Sequence, residues 1–252
     1  MELKDKVIII TGGGRGIGFG LSTAVVKAGA KLVITGRKLE TLEEAKAKLE
    51  KEYGAEVLAV AADGADEAAI KNVIEKTVER FGRIDGVINN AQASASGKML
   101  IQHTKEDLDL AVYSGIYATF FYMREAYPYL KESKGCVINF ASGAGLFGRI
   151  AQSSYAAAKE GIRGLSRVAA TEWAPDGIRV NVICPLAMTE GLQKFKEEYP
   201  DRYEQTIKGV PMGRFADPEK DVGGLCVFLC SDKAAYITGE TITLQGGSGL
   251  RP

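Results

Sequence analysis

The chain is poor in the residue most often used for acid–base work: its 252 residues include one histidine, His103. A two-histidine zinc motif cannot be written, and any nucleophile–histidine pair would have to use that one side chain. Cysteine is scarce as well, with four residues and no C-x-x-C spacing. That argues against a redox or metal motif and leaves Cys136, Cys184, Cys226 and Cys230 as reduced core thiols, the last two spaced to share a helix face. There is no excess of either charge, 32 Lys and Arg facing 32 Asp and Glu, and no basic stripe interleaved with aromatics, so nothing marks a nucleic-acid surface. No apolar run reaches the ~18 residues of a membrane span. The opening Met-Glu-Leu-Lys-Asp-Lys lacks the apolar segment of a signal peptide. The expectation is a soluble, cytoplasmic protein with no metal, nucleic-acid or membrane partner.

Glycine is what the chain has in plenty: 30 residues, six of them between Thr11 and Gly20. Short apolar runs (Val7–Thr11, Lys31–Gly36, Ala55–Ala61, Ile84–Asn89, Cys136–Ala141, Ile178–Cys184, Thr241–Leu244) alternate with segments of helical period (Gly16–Ala28, Leu39–Tyr53, Glu67–Phe81, Leu108–Leu130, Ser154–Trp173, Pro218–Cys230). Continuous Val/Ile/Leu runs suit strands covered on both faces. Their alternation with helices predicts an α/β fold, a Rossmann-type doubly wound parallel sheet of about seven strands flanked by helices. No linker or repeat interrupts residues 1–252, which predicts one domain. Residues 186–217 break the rhythm with aromatics and two prolines after a strand end, and are read as a substrate lid, the alternative being a surface excursion without a role.

Thr11-Gly12-Gly13-Gly14-Arg15-Gly16-Ile17-Gly18 follows a strand and opens a helix, the context in which glycines let backbone approach a pyrophosphate at a helix N-terminus. No Lys-Ser/Thr pair follows, so a nucleoside triphosphate loop is disfavoured. The second strand ends at Gly36-Arg37-Lys38, where an NAD site would place an acidic residue for the ribose 2′-hydroxyl. Two cations there, with Arg15 in the glycine turn, favour a 2′-phosphate and hence NADP(H). The alternative is that Arg37 and Lys38 only solvate a helix start.

Tyr155 and Lys159 lie four apart on a predicted helix and project from one face. A neighbouring ammonium favours phenolate, bringing the tyrosine pKa toward the working range. Ser142 stands just after the run Cys136–Ala141, where ligand-facing residues of such sheets lie.

With these residues in view, the chain resembles the short-chain dehydrogenase/reductase family over nearly all its length. The resemblance rests on Thr11-Gly12-x-x-x-Gly16-Ile17-Gly18, Asp63, Asn89-Asn90-Ala91, Ser142, Tyr155-x-x-x-Lys159, and Asn181 followed by Pro185. It implies Tyr155 as general acid in carbonyl reduction and base in alcohol oxidation, with Ser142 bonding the carbonyl oxygen. Lys159 would lower the tyrosine pKa and hold the nicotinamide ribose. Gly12, Arg15, Gly16, Ile17, Gly18, Arg37 and Lys38 would bind the cofactor's phosphates and adenosine end. Asp63 and Gly64 would lie against adenine, Asn89 and Ala91 near the ribose, and Pro185, Met188 and Thr189 near the nicotinamide.

Four departures stand out. Gln92 replaces the glycine of Asn-Asn-Ala-Gly, and its side chain could turn toward the substrate carbonyl. The stretch Tyr113-Ser114-Gly115-Ile116 has no asparagine where the resemblance implies a relay residue; bound water is the expected substitute. Pro185-Leu186 replaces Pro-Gly, with Thr189 one residue early, and Gln245 replaces an aspartate. Gln92, Ser94, Ala144, Phe147, Leu186 and Leu192 are the predicted substrate wall. Its small and apolar character predicts a bulky, mostly apolar ketone or secondary alcohol, hydroxysteroid-like or otherwise cyclic. The alternatives are a 3-oxoacyl-thioester reductase, for which Arg149 and Lys194 are thin support, and a non-catalytic NADP(H)-binding sensor or scaffold. The resemblance further implies a homotetramer, or a homodimer, through Leu108–Leu130, Ser154–Trp173 and the last strand, with Leu250-Arg251-Pro252 reaching a neighbour's pocket. His103, outside every motif, is expected at the surface.

Overall fold

A computed structural model describes residues 1–249; the C-terminal reach expected of Leu250-Arg251-Pro252 lies outside them. Seven strands, β1 (Val7–Thr11), β2 (Lys31–Gly36), β3 (Val57–Ala61), β4 (Gly86–Asn89), β5 (Cys136–Phe140), β6 (Arg179–Pro185) and β7 (Thr241–Leu244), form one sheet in the order β3-β2-β1-β4-β5-β6-β7. All six pairings are parallel. The expected doubly wound α/β sheet is the observed one.

Its helices are α1 (Gly16–Lys27), α2 (Leu39–Tyr53), α3 (Glu67–Phe81), α4 (Lys105–Ala111), α5 (Ala118–Ser133), α6 (Gly143–Phe147), α7 (Ser153–Trp173), α8 (Glu190–Glu198), α9 (Pro200–Ile207) and α10 (Gly224–Cys230). The physics of the apolar runs is visible in β1. Ile8 and Ile10 belong to one buried cluster with Leu32, Ile34 and Ile138, while Val7 and Ile9 belong to another with Val33, Val87 and Val137. Successive side chains enter opposite layers, so a strand covered twice reads as an unbroken apolar run.

Boundaries differ where local chemistry intervenes. The run Ala55–Ala61 pairs only from Val57, and Ile84–Asn89 only from Gly86. The expected helix Leu108–Leu130 is interrupted: a π-helical turn, Val112–Tyr117, separates α4 from α5, which continues past Pro128 to Ser133. A second π turn, Pro218–Gly223, opens the segment ending in α10. The segment 186–217 is helical and has an apolar cluster of its own, Tyr203, Ile207, Val210 and Phe215, against which Leu186, Met188, Leu192 and Phe195 pack. All four cysteines are buried, and none forms a disulfide among the described residues. Among the described residues no helix is long and apolar enough to cross a membrane.

Candidate active site

Chain order reverses between β1 and β4, and the carboxyl ends of these strands open a cleft there, as open α/β sheets do. The Thr11 hydroxyl accepts from the amides of Asn90 (2.9 Å) and Ala91 (3.0 Å), and the Asn90 side chain donates to the Thr11 carbonyl (2.9 Å). These bonds lock the two strand ends together. Gly12 and Gly16 take positive φ, 69° and 54°, and a Cβ on Gly18 would lie 1.9 Å from the Gly12 carbonyl oxygen. Only glycine lets α1 start that close to the turn. Arg15 caps α1 with no side-chain acceptor, and no acidic residue occupies the first turn. The leading amides of a twelve-residue helix are therefore left for an anion.

The cleft has a volume of about 1250 Å³. Gly12, Arg15, Gly16, Ile17 and Gly18 line one part, and Arg37, Lys38, Asp63 and Gly64 another; Asn89, Ala91, Gln92 and Thr189 complete the expected set. Arg15, Arg37 and Lys38 are exposed, and no carboxylate among the described residues forms an ion pair with any of them. A glycine cradle, an uncapped helix start and free cations fit a dinucleotide carrying phosphates. Pro185 does not line this cleft, and Met188 lines a smaller hollow beside Gly16 and Thr189. Glu106, Asp109, Tyr113 and Glu190 also line the cleft. Sequence reasoning did not include them, since no motif marks a wall supplied by helices docked from elsewhere.

One strand over, β5 carries the second group. Asn89 and Asn139 are partners in the β4–β5 register, and their side chains bond at 2.8 Å. Asn139 in turn donates to Ser166 of α7 (2.8 Å). About two turns earlier on α7, Lys159 donates to the Phe140 carbonyl at 2.6 Å and is only 3% exposed. Its ammonium lies 5.5 Å from the centre of the Tyr155 ring. Ser142 caps α6, accepting from the Ala144 amide (3.1 Å), and its hydroxyl stands close enough to the Tyr155 phenol to lower its pKa. Ser142, Tyr155 and Lys159 are thus brought together, although the cleft wall does not reach them. Gln245, against Gly143 and donating to the Cys184 carbonyl (3.3 Å), braces α6 from behind. Its place after β7 gave no local signal of that contact.

The electrostatics differ from the expectation. Burial raises the Tyr155 pKa, while the Ser142 bond and the Arg149 charge pull it back. Lys159 is itself desolvated, its pKa lowered to about 7, so its charge is only partly available to the phenol near neutrality. A phenol beside a hydroxyl, over a buried amine, can exchange a proton with an oxygen held next to it.

In the expected substrate wall, the Gln92 amide turns to Gly115 rather than outward. Ser94 and Ser96 share a bond (3.1 Å), Ala144 is buried, Phe147 is exposed, and Leu186 and Leu192 pack on the 186–217 cluster. His103 is not a surface side chain. Its ring is 7% exposed, with Nε2 3.2 Å from the Lys98 carbonyl and Nδ1 4.0 Å from Asp107, because the capped start of α4 folds over it.

Comparison with known proteins bears on this geometry. A family model described as enoyl-(acyl carrier protein) reductase matches residues 12–248. The chain is 59% identical to a 12alpha-hydroxysteroid dehydrogenase from Clostridium sp., across 98% of both chains. L-sorbose reductase from Gluconobacter frateurii, solved with NADPH and L-sorbose, superposes with a TM-score of 0.93 at 29% identity over the whole of both chains. A 3-ketoacyl-(acyl-carrier-protein) reductase from Brucella melitensis, solved with NADH, gives 0.89 at 29% identity, covering 98% of this chain and 100% of that one. With the fold, the glycine cradle and these relatives in agreement, the chain belongs to the short-chain dehydrogenase/reductase family and is an oxidoreductase.

Proposed function

We propose that the protein is an NADP(H)-dependent oxidoreductase that interconverts a bulky, mostly apolar ketone and its secondary alcohol, hydroxysteroid-like or otherwise cyclic. The convergence of Ser142, Tyr155 and the buried Lys159 at the end of β5 carries this reading. The 59% identity to a hydroxysteroid dehydrogenase supports the substrate class. The nicotinamide, when bound, supplies or accepts the hydride. Gly12, Gly16, Ile17 and Gly18 hold its phosphates at the start of α1, and Asp63, Gly64, Asn89, Ala91, Pro185, Met188 and Thr189 hold the rest. Ser142 bonds the carbonyl oxygen where charge develops, and Tyr155 gives that oxygen its proton or removes it. Residues 186–217 cover the substrate, with Leu186 and Leu192 on its apolar wall beside Gln92, Ser94, Ala144 and Phe147. Exposed Tyr117 and Phe120 of the helix α5 region and Val168 of α7 are the contacts of a homotetramer or homodimer working in the cytoplasm.

The test mixes purified protein with NADPH and a panel of hydrophobic ketones and follows absorbance at the nicotinamide band. Turnover on cyclic ketones is expected. Binding of NADPH without turnover on any ketone would make the chain a sensor or scaffold instead. The choice of NADP(H) has a separate test, because Arg37 and the 2′-phosphate would meet as opposite charges. Arg37→Ala is expected to weaken NADPH about tenfold and NADH hardly at all, the size of a charge-assisted hydrogen bond. Equal binding of NADH and NADPH by the wild type, or an unchanged preference in the variant, sinks that assignment.

A further inference from the structure

α1 begins without an anion of its own. Arg15 offers no side-chain acceptor and the first turn carries no acid, so its own side chains leave the leading amides and the positive end of the helix dipole uncompensated. An acid from another element stands beside them. Glu190, the first residue of α8, places its Oε1 3.6 Å from where a Cβ on Gly16 would be, and Gly16 is the first residue of α1. Among the described residues this carboxylate takes part in no hydrogen bond or ion pair. The backbone beneath it is fixed. The Thr189 hydroxyl accepts from the Leu192 amide at 3.1 Å, and the Met188 amide donates to the Ala216 carbonyl at 2.9 Å. What can turn is the side chain.

A second seat lies behind it. Glu190 and Gly16 line the cleft on one side and, on the other, a hollow of about 440 Å³ that Lys194, Gln193 and Glu197 help to wall. Lys194 is four residues beyond Glu190, is exposed, and likewise has no ion pair among the described residues. Glu followed by Lys at i+4 is the favourable order for a pair on a helix surface. The other carboxylate of the hollow, Glu197, accepts from the Gln193 amide at 2.8 Å. Lys194 is left for Glu190.

We propose that Glu190 is an affinity gate for the cofactor: its carboxylate stands at the start of α1, and a dinucleotide seats its phosphates there as Glu190 turns into the hollow and pairs with Lys194. This rests on the reading of the glycine turn as the pyrophosphate site. Two anions at one helix start repel each other, so part of the interaction of the pyrophosphate with α1 is spent on displacing the carboxylate. α1 exchanges one anion for another, and α8 gains an ion pair. Cofactor affinity is thereby held below what the cradle alone would give, which favours release of the spent dinucleotide after turnover.

The experiment measures dissociation constants for NADPH and NADH by nicotinamide fluorescence, without ketone, in wild type, Glu190→Gln, Lys194→Gln and the double variant. Glu190→Gln is expected to tighten both cofactors by the same factor, about 3- to 10-fold, since both carry the pyrophosphate. An acid in the first turn of α8 also favours that helix, so the decisive comparison is with Lys194. Lys194→Gln removes the second seat and should weaken both cofactors about twofold in the wild type, with no effect on top of Glu190→Gln. A lysine that merely attracted phosphate would weaken binding in both backgrounds. Unchanged or weaker binding in Glu190→Gln overturns the proposal, as does an equal loss on removing Lys194 from either background. If no variant binds either cofactor, the cofactor reading fails separately, and inorganic pyrophosphate becomes the probe. It should stabilise Glu190→Gln against heat more than it stabilises the wild type; equal stabilisation, or none in either, overturns the gate.

Discussion

Tyr155→Phe is expected to lower kcat about 10²- to 10⁴-fold while NADPH affinity stays within about threefold. Phenylalanine keeps the ring that lies over Lys159 and removes only the hydroxyl beside Ser142, so packing around α7 is retained and proton transfer is lost. Direction matters here. Burial raises the phenol pKa, which keeps the proton in place at neutral pH and suits Tyr155 to act as acid in reduction. Alcohol oxidation needs the phenolate, so its rate should climb as pH rises toward the phenol's pKa, while reduction stays level until that point. Both features should vanish in the variant. Rates for both directions across pH 6–10, with and without the hydroxyl, form the measurement. Unchanged turnover in Tyr155→Phe would remove Tyr155 from the mechanism.

The chain's inner strands were legible because burial on two faces writes itself as an unbroken apolar run: Val7–Thr11 and Lys31–Gly36 are observed as read. The division of Leu108–Leu130 was not legible. A π turn inserts one residue into a helix without breaking its apolar stripe, and its position depends on Ser114 being tied to the loop at Ala93. The meeting of Ser142, Tyr155 and Lys159 could be read from motif order, since only the short α6 separates β5 from α7 in sequence and the two touch in space. Their protonation could not. The low pKa of Lys159 comes from desolvation beneath β5 and the neighbouring helices, a property of the assembled packing. The orientation of Gln92 was hidden for the same reason: an amide 23 positions away from Gly115 has no local signal of the hollow it enters.

Lys159→Met is expected to abolish turnover and yet stabilise the fold. Lys159 is 3% exposed, has no carboxylate partner among the described residues, and keeps only the Phe140 carbonyl as acceptor. Burial lowers its pKa from 10.5 to about 7. Between those values the unfolded chain binds a proton that the folded chain sheds, so stability rises with pH across that window. Below about pH 7 the cost of charging the buried amine is present in full, and above about 10.5 it disappears. Methionine has similar length and no charge to desolvate. Offsetting the lost bond to Phe140, the variant should gain about 2–4 kcal/mol at pH 6, a rise in Tm of about 4–10 °C for a chain of this size. The advantage should shrink steadily toward pH 10. Thermal and urea unfolding of both proteins from pH 6 to pH 10 would test this, and a variant that is less stable at pH 6, or whose advantage is independent of pH, contradicts it. A residue that weakens the fold at the pH where the protein works is kept for what its amine does, and here that is to stand beside the Tyr155 ring with N–H donors beyond the one given to the Phe140 carbonyl.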